Sequence, residues 1–223
     1  MKLVNIYEYP TLIQITSETE RRYVTPENHK LPSVTTILGQ TGDKTGLTEW
    51  RERVGNQEAD RISSEAAGLG TLVHKHLECE LRGELRPTGN NMVRKLAREM
   101  ADQVINRAFH KIQEVWALET ALYFPELYAG TADVIGVYNN EPAIMDFKTA
   151  RKMKKEEWIQ DYRLQLSAYA LAHNELFGTN IKKGVIFMVD RNYSFSEFSI
   201  EGKIFDESAD LWCKRVEEWY AQQ

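Results

Sequence analysis

Between residues 117 and 147 the hydrophobic period changes from helical to strand-like, and that change fixes the frame for everything around it. Residues 117–124 (ALETALYF), 130–137 (GTADVIGV) and 142–147 (PAIMDF) are three short runs joined by PELYA and the turn YNNE. Connections this short cannot hold a crossover helix, so the three runs predict an antiparallel meander.

Helical patterns lie on both sides. Upstream, residues 48–67 read as a polar helix that stops at a Gly68–Gly70 break. A second helix then follows through TLVHKHLECELRG, with Leu72, Val73, His76, Leu77 and Leu81 on its apolar positions. Residues 90–114 form another, with a stripe of Met92 or Val93, Leu96, Met100, Val104 and Ile112. Downstream, Trp158, Tyr162, Leu166, Tyr169 and Ala170 start a helix that runs to Phe177. IKKGVIFMVD and SFSEFSI are strands, and a closing amphipathic helix ends the chain. The opening, through Val24, is expected to be a hairpin with IYEY and LIQIT as strands and SETERR near the turn. PENHKLPS is expected to be a loop, and Ser33 the cap of a short turn through VTTIL. The pattern predicts a mixed α/β (α+β) fold: a small central mixed sheet flanked by helices, with an N-terminal hairpin and helices added.

At 223 residues the chain suits one domain, with residues 1–68 as a hairpin and helical clamp region and 69–223 as a catalytic core. The start of the sequence lacks the apolar run of a secretory signal, and no stretch approaches a membrane span, so a cytoplasmic location with no membrane partner is expected. Cys79 and Cys213 are far apart and form no CxxC pair, which argues against a disulfide framework or a zinc or iron–sulfur site. A net charge of −5 excludes a protein that coats polyanions indiscriminately, but not an enzyme that gathers carboxylates for a metal. Local basic strips remain available: Arg151, Lys152, Lys154 and Lys155 after the meander, and Arg94, Lys95 and Arg98 in the middle helix. Each also reads as an ordinary solvated face.

The meander carries the chemistry. Asp133 follows Gly130 at the edge of an apolar strand, where a carboxylate needs a partner to be buried. Asp146 and Lys148 flank Phe147, so a strand's period of two projects them together. Two carboxylates and a backbone carbonyl, that of Phe147, make a partial oxygen shell for Mg²⁺, and His74 adds an imidazole that lets Mn²⁺ substitute. Lys148 would then orient a water and stabilise developing negative charge. Taken singly, each residue has an ordinary reading: Asp133 a turn residue, Lys148 a solvated lysine, His74 a packing residue. Tyr123, Phe124, Tyr128, Trp50 and Trp158 could stack on bases, although burial in the core is the default use of such rings.

Four spaced elements, Gly70 to His74, Gly130 to Asp133, Asp146 to Lys148 and Gln165 to Tyr169, resemble the GxxxH, GxxD, DxK and QxxxY pattern of the RecB-like branch of the PD-(D/E)XK nucleases. The resemblance spans residues 68 to 190, and Ala132 stands where the superfamily's name has a proline. It implies a PD-(D/E)XK nuclease core with His74, Asp133, Asp146 and the Phe147 carbonyl as metal ligands and Lys148 as the catalytic ammonium. Glu119 is a further acidic residue facing the cleft, and Gln165 and Tyr169 bind DNA or buttress the site. Glu78, one turn after His74, either orients that imidazole, helps a second ion or is a surface carboxylate. LPSVTTIL, residues 31–38, is similar to the start of a narrower group of mitochondrial genome maintenance and phage exonucleases, in which N-terminal helices thread or clamp a single strand. The activity implied is a Mg²⁺- or Mn²⁺-dependent exonuclease acting on single-stranded DNA or DNA ends. It would serve replication, recombination or repair in a bacterial or phage-infected cell. CRISPR-associated relatives carry four cysteines for an iron–sulfur cluster; with two cysteines, none is expected here. The same site residues fit an endonuclease, and a non-catalytic DNA-binding module on this fold is the reading from another class.

Overall fold

The computed structural model describes residues 2–17 and 20–223. Its strands are β1 (Lys2–Leu3), β2 (Ile13–Thr16), β3 (Arg21–Val24), β4 (Lys30–Pro32), β5 (Ile112–Phe124), β6 (Tyr128–Tyr138), β7 (Glu141–Ala150), β8 (Gly184–Asp190) and β9 (Phe195–Ile200). The helices are α1 (Val34–Thr41), α2 (Thr45–Val54), α3 (Asn56–Arg82), α4 (Met92–Ala108), α5 (Gln160–Phe177) and α6 (Lys203–Ala221).

The predicted meander is present as β5, β6 and β7, paired antiparallel. It forms the middle of a six-stranded mixed sheet of order β1-β5-β6-β7-β8-β9, in which α5 makes the crossover that lets β8 run parallel to β7. Side chains alternate between two cores. Met145, Phe147, Val185, Phe187 and Val189 pack with α3 and α4, whereas Ile144, Ile186 and Met188 pack with α1, α5 and α6. Each fully buried apolar side chain contributes about 1.5–3 kcal/mol. The two layers therefore hold β7 in register from both sides, and one residue of slip would turn Asp146 and Lys148 onto the wrong face.

Several boundaries differ from the sequence expectation, each for a tertiary reason. The break at Gly68–Gly70 is absent: α3 runs unbroken through both glycines. Their cost, about 1 kcal/mol each in a helix, is outweighed by burial of Leu69, Val73, Leu77 and Leu81 against α4 and the sheet. The interruption falls instead at Gly55, whose φ of +84° lies where glycine is favoured, between α2 and α3. The helix expected to reach residue 114 ends at Ala108, and after one 3₁₀ turn Ile112 already belongs to β5, where the edge strand β1 pairs with Glu114 and Val115. IYEY is not a strand: Tyr7 and Tyr9 pack around His173 and Phe177 at the end of α5. LIQIT does supply a strand, β2, which pairs with β3, while the expected SETERR turn falls partly outside the described residues. The PENHKLPS loop contains β4, which extends this small N-terminal sheet. Ser33 caps α1 as expected, accepting a hydrogen bond from the Thr36 amide at 2.9 Å. Trp158, expected to open the long helix, sits in a preceding 3₁₀ turn and is exposed. Among the described residues no helix is long and apolar enough to cross a membrane.

Candidate active site

β6 and β7 pair only as far as Val134 with Met145; beyond that point they part, while β7 continues along β8 to Ala150. Asp133 and Asp146 stand on either side of this fork. Parting leaves the amide of Phe147 without a strand partner, and Asp133 Oδ2 accepts from it at 2.8 Å. The carboxylate therefore takes over a ladder bond and is fixed by it.

Asp146 and Lys148 project together from β7, as the period of two predicts, and Lys148 Nζ lies 2.6 Å from Asp146 Oδ2. Gln165 on α5 completes the arrangement: its Oε1 accepts from Lys148 Nζ at 3.0 Å, and its Nε2 donates to Asp146 Oδ1 at 3.3 Å and to the Tyr169 hydroxyl at 3.2 Å. Tyr169 is buried and rests on Gly130, where an added Cβ would come within 2.6 Å of its ring. The Gln165–Tyr169 pair thus props the ammonium and the carboxylate from behind.

His74 arrives from α3 on the opposite face. Its Nε2 lies 2.8 Å from the Phe147 carbonyl, and its Nδ1 faces Asp133 Oδ2 at 3.5 Å and Glu119 Oε1 at 3.8 Å. Glu119 has a φ of +47°, a left-handed conformation that costs a non-glycine residue about 1–3 kcal/mol. It lies between Leu118 and Thr120, whose ladder partners Val134 and Ala132 flank Asp133. Glu78 does not join this cluster: it pairs with Lys75 and Arg82 along α3, where it lines the groove that His74 and Glu119 also border. Among the aromatic candidates Tyr128 is core, its hydroxyl bonded to the Ala168 carbonyl, whereas Trp158 is exposed with Lys155 over its ring.

The electrostatics follow from crowding. Burial, and then the charge of Asp146, push Asp133 up to about 7. Burial alone would lower His74, but the Glu119 hydrogen bond and the charges of Asp133 and Asp146 outweigh it and raise it to about 9. Lys148 is also pulled down by burial, yet Asp146 and Asp133 more than compensate and hold it above its ordinary value.

Burial and the neighbouring Asp146 together disfavour a charged Asp133, and a bound cation would offset both, which is one test of whether the residues suit a cation. They do. His74, Glu119 and Asp133 offer ligand atoms within 4.8 Å of one another. Asp146 Oδ2 is buried and, apart from its ion pair with Lys148, has no hydrogen bond. His74 Nε2 donates to the Phe147 carbonyl at 2.8 Å, which orients the ring and leaves Nδ1 as the ligand atom toward Asp133 and Glu119.

These groups open onto a cavity of about 240 Å³, which is also lined by Arg21, Tyr23, Ser33 and Thr35. It shares His74 and Glu119 with a groove of about 550 Å³ along α3, and Arg21 and Thr35 with one of about 330 Å³ over α1. The sequence reading missed the lining from β3 and the start of α1. LPSVTTIL marked the segment, but nothing local indicates that Ser33 bridges to Ala129 and so brings α1 beside β6.

No family model matches the chain. Among curated proteins it is similar to mitochondrial genome maintenance exonuclease 1 of Homo sapiens, 25% identical over 209 residues that cover 86% of this chain. The Mus musculus protein of the same name is 26% identical over 88% of the chain. The chain spans 59% and 61% of the lengths of these two relatives. Among solved structures, a chain from Eubacterium rectale provisionally named an exonuclease overlaps with a TM-score of 0.48 and 12% identity, over 66% of each chain.

Proposed function

We propose that this protein is a metal-dependent nuclease of the PD-(D/E)XK class, RecB-like in its site, that hydrolyses DNA as an exonuclease with a preference for single strands. The observation that carries the reading is the fork itself: Asp133 and Asp146 at the parting of β6 and β7, Lys148 held between Asp146 and Gln165, and His74 facing them from α3. The two curated relatives, both named exonucleases, support the nuclease reading and favour attack at strand ends.

His74, Asp133, Asp146 and the Phe147 carbonyl, with Glu119 beside them, would hold Mg²⁺ or Mn²⁺. Such an ion, when bound, polarises a phosphoryl oxygen and supplies a water of lowered pKa. The chain's own residues do the rest. Lys148, charged and fixed by Asp146 Oδ2 and Gln165 Oε1, neutralises negative charge growing on the phosphorus oxygens and holds a water in line. Gln165 and Tyr169 keep that ammonium from swinging away and exclude solvent behind it. The N-terminal residues act as the clamp and the remainder as the catalytic part, because Arg21, Ser33 and Thr35 wall the same cavity as Asp133; a division at residue 68 would cut the unbroken α3, so it is set instead at Gly55, between α2 and α3.

The grooves continue on both sides of the carboxylates, and this favours one second reading, cleavage within a strand. End-labelled linear single strands, duplex and circular single strands, incubated with Mg²⁺, Mn²⁺ or EDTA, separate the possibilities. Metal-dependent loss of linear strands with circles untouched is expected. Cut circles would make the enzyme an endonuclease, and DNA bound but never cut would reduce it to a binding module.

A further inference from the structure

Tyr162 stands on the first turn of α5, three residues before Gln165 and so on the same helix face. Lys148 Nζ lies 4.8 Å from the centroid of its ring. Lys154, from the segment after β7, lies 4.6 Å from the same centroid, and its Nζ donates to the Tyr162 hydroxyl at 2.7 Å. One phenol thus steadies two ammonium groups, Lys148 through its ring and Lys154 through its hydroxyl.

The two ammoniums differ in their other partners. Lys148 is matched by Asp146, whereas among the described residues no carboxylate comes within ion-pairing distance of Lys154; the adjacent Lys155 does meet Glu157. Lys154 is half-buried rather than waving in solvent. Gathering two like charges at one partly desolvated ring is unfavourable unless an anion offsets them. The arrangement therefore has an excess positive charge, held in place, one side chain away from the ammonium of the candidate active site. The Tyr162 hydroxyl turns Lys154 toward the candidate active site, whereas Lys155 is held on the exposed side by Trp158 and Glu157.

We propose that Lys154 is a phosphate-binding residue, positioned by Tyr162, that receives the phosphodiester next to the one Lys148 serves. This rests on the nuclease reading above. Lys154 binds backbone without choosing sequence, and Tyr162 is a positioning residue that couples this phosphate to the active-site ammonium.

A short fluorescein-labelled single-stranded DNA, titrated by anisotropy in EDTA across a salt series, tests the assignment without cleavage. Lys154→Gln is expected to weaken binding several-fold on every sequence and to flatten the log–log salt slope by about 0.7, the value for one phosphate contact on a single strand. Lys154→Arg should restore both. In turnover with metal, Lys154→Gln should raise KM more than it lowers kcat. Tyr162→Leu should lower kcat as well, because Lys148 loses its ring, and Tyr162→Phe, which keeps the ring, should recover most of that loss. An unchanged salt slope in Lys154→Gln, with wild type binding and cutting normally, overturns this inference and leaves the nuclease reading intact. Wild type that neither binds nor cuts DNA overturns both.

Discussion

The fork between β6 and β7 and the small sheet of β2, β3 and β4 border the same cavity but are built in opposite ways. At the fork nearly every supporting residue is buried, with Met145 and Phe147 on one core and Ile144 and Tyr169 on the other, so the reactive groups have little freedom. In the N-terminal segment only a small cluster, Tyr23 and Leu31 on Ala129, anchors β3 and β4, while every residue of β2 is exposed and no residue of the following α2 is buried. Chemistry demands positions good to a fraction of an ångström, and dense packing supplies them. Gripping a flexible polyanion needs only charge and hydroxyls within reach, which a lightly packed element can offer. Substitutions should therefore act mainly on turnover at the fork and mainly on binding at the clamp.

The largest effect is expected at Lys148. Lys148→Ala should lower kcat by about 10²–10³-fold, with oligonucleotide affinity in EDTA changed far less. Asp146→Asn should cost at least as much, since it removes the ion-pair partner of that ammonium together with the oxygen proposed to hold the metal. Equal losses in kcat and in affinity would break the division between the two regions.

Asp133 sharpens the comparison because there function and stability should move in opposite directions. Its folded pKa of about 7 lies above the ordinary carboxylate value, so the folded state retains a proton that the unfolded chain releases from about pH 4 upward. His74, raised to about 9 from an unfolded value near 6.5, gives a contribution that is complete below pH 6.5 and lost as pH rises through 9. Both signs agree: in EDTA the melting temperature should fall by several degrees between pH 5 and 9, and Mn²⁺ should remove most of the fall. Asp133→Asn can still accept from the Phe147 amide but carries no charge. Metal-free, at pH 8, it should melt a few degrees above wild type while cleaving nothing measurable. A lower melting temperature at that pH would mean that the crowding is relieved by some other group.

How far the sequence revealed these two regions follows the same division. Asp133, Asp146 and Lys148 were legible because a strand's period of two and short turns are local facts, whereas His74 lies off the apolar stripe of α3 and was singled out by the GxxxH resemblance. The Ser33 cap was legible for the same reason. What could not be read depended on distant partners: β1 making Ile112 and Glu114 part of a strand, Leu69 and Val73 carrying α3 through its glycines, and Tyr7 and Tyr9 leaving strand geometry to surround His173. Arg21 and Thr35 share the cavity with Lys148 through contacts far apart in sequence, the parallel bridge between Ser33 and Ala129 and the 3.0 Å hydrogen bond between Tyr23 and Thr131, which no local pattern announces.

Gly130 is the point where packing and site meet. Gly130→Ala would drive a methyl into the Tyr169 ring, displacing the hydroxyl that Gln165 holds, at a cost of about 1–3 kcal/mol in stability. Turnover should drop roughly tenfold through misplacement of Lys148, a smaller loss than removing the ammonium itself. Calorimetry and single-turnover kinetics on one preparation would check both. A destabilised protein with undiminished turnover would show that the Gln165–Tyr169 prop is dispensable.

The smallest expected effect belongs to the clamp. Arg21 is exposed, donates its amide to Thr36, and joins the active-site cavity to the groove over α1. Truncating its side chain leaves that backbone bond in place, so Arg21→Ala should change unfolding free energy by no more than about 0.5 kcal/mol. Arg21 lines both the active-site cavity and the adjoining groove, so under the proposed function the variant should raise KM several-fold and flatten the salt dependence by about one phosphate contact, with kcat close to wild type. Thr35→Val, which removes a hydroxyl from the same wall, should give a weaker version of the same change. If either substitution lowered kcat without touching KM, the N-terminal segment would be shaping the reacting geometry itself. The two regions would then be one device, despite the difference in how they are packed.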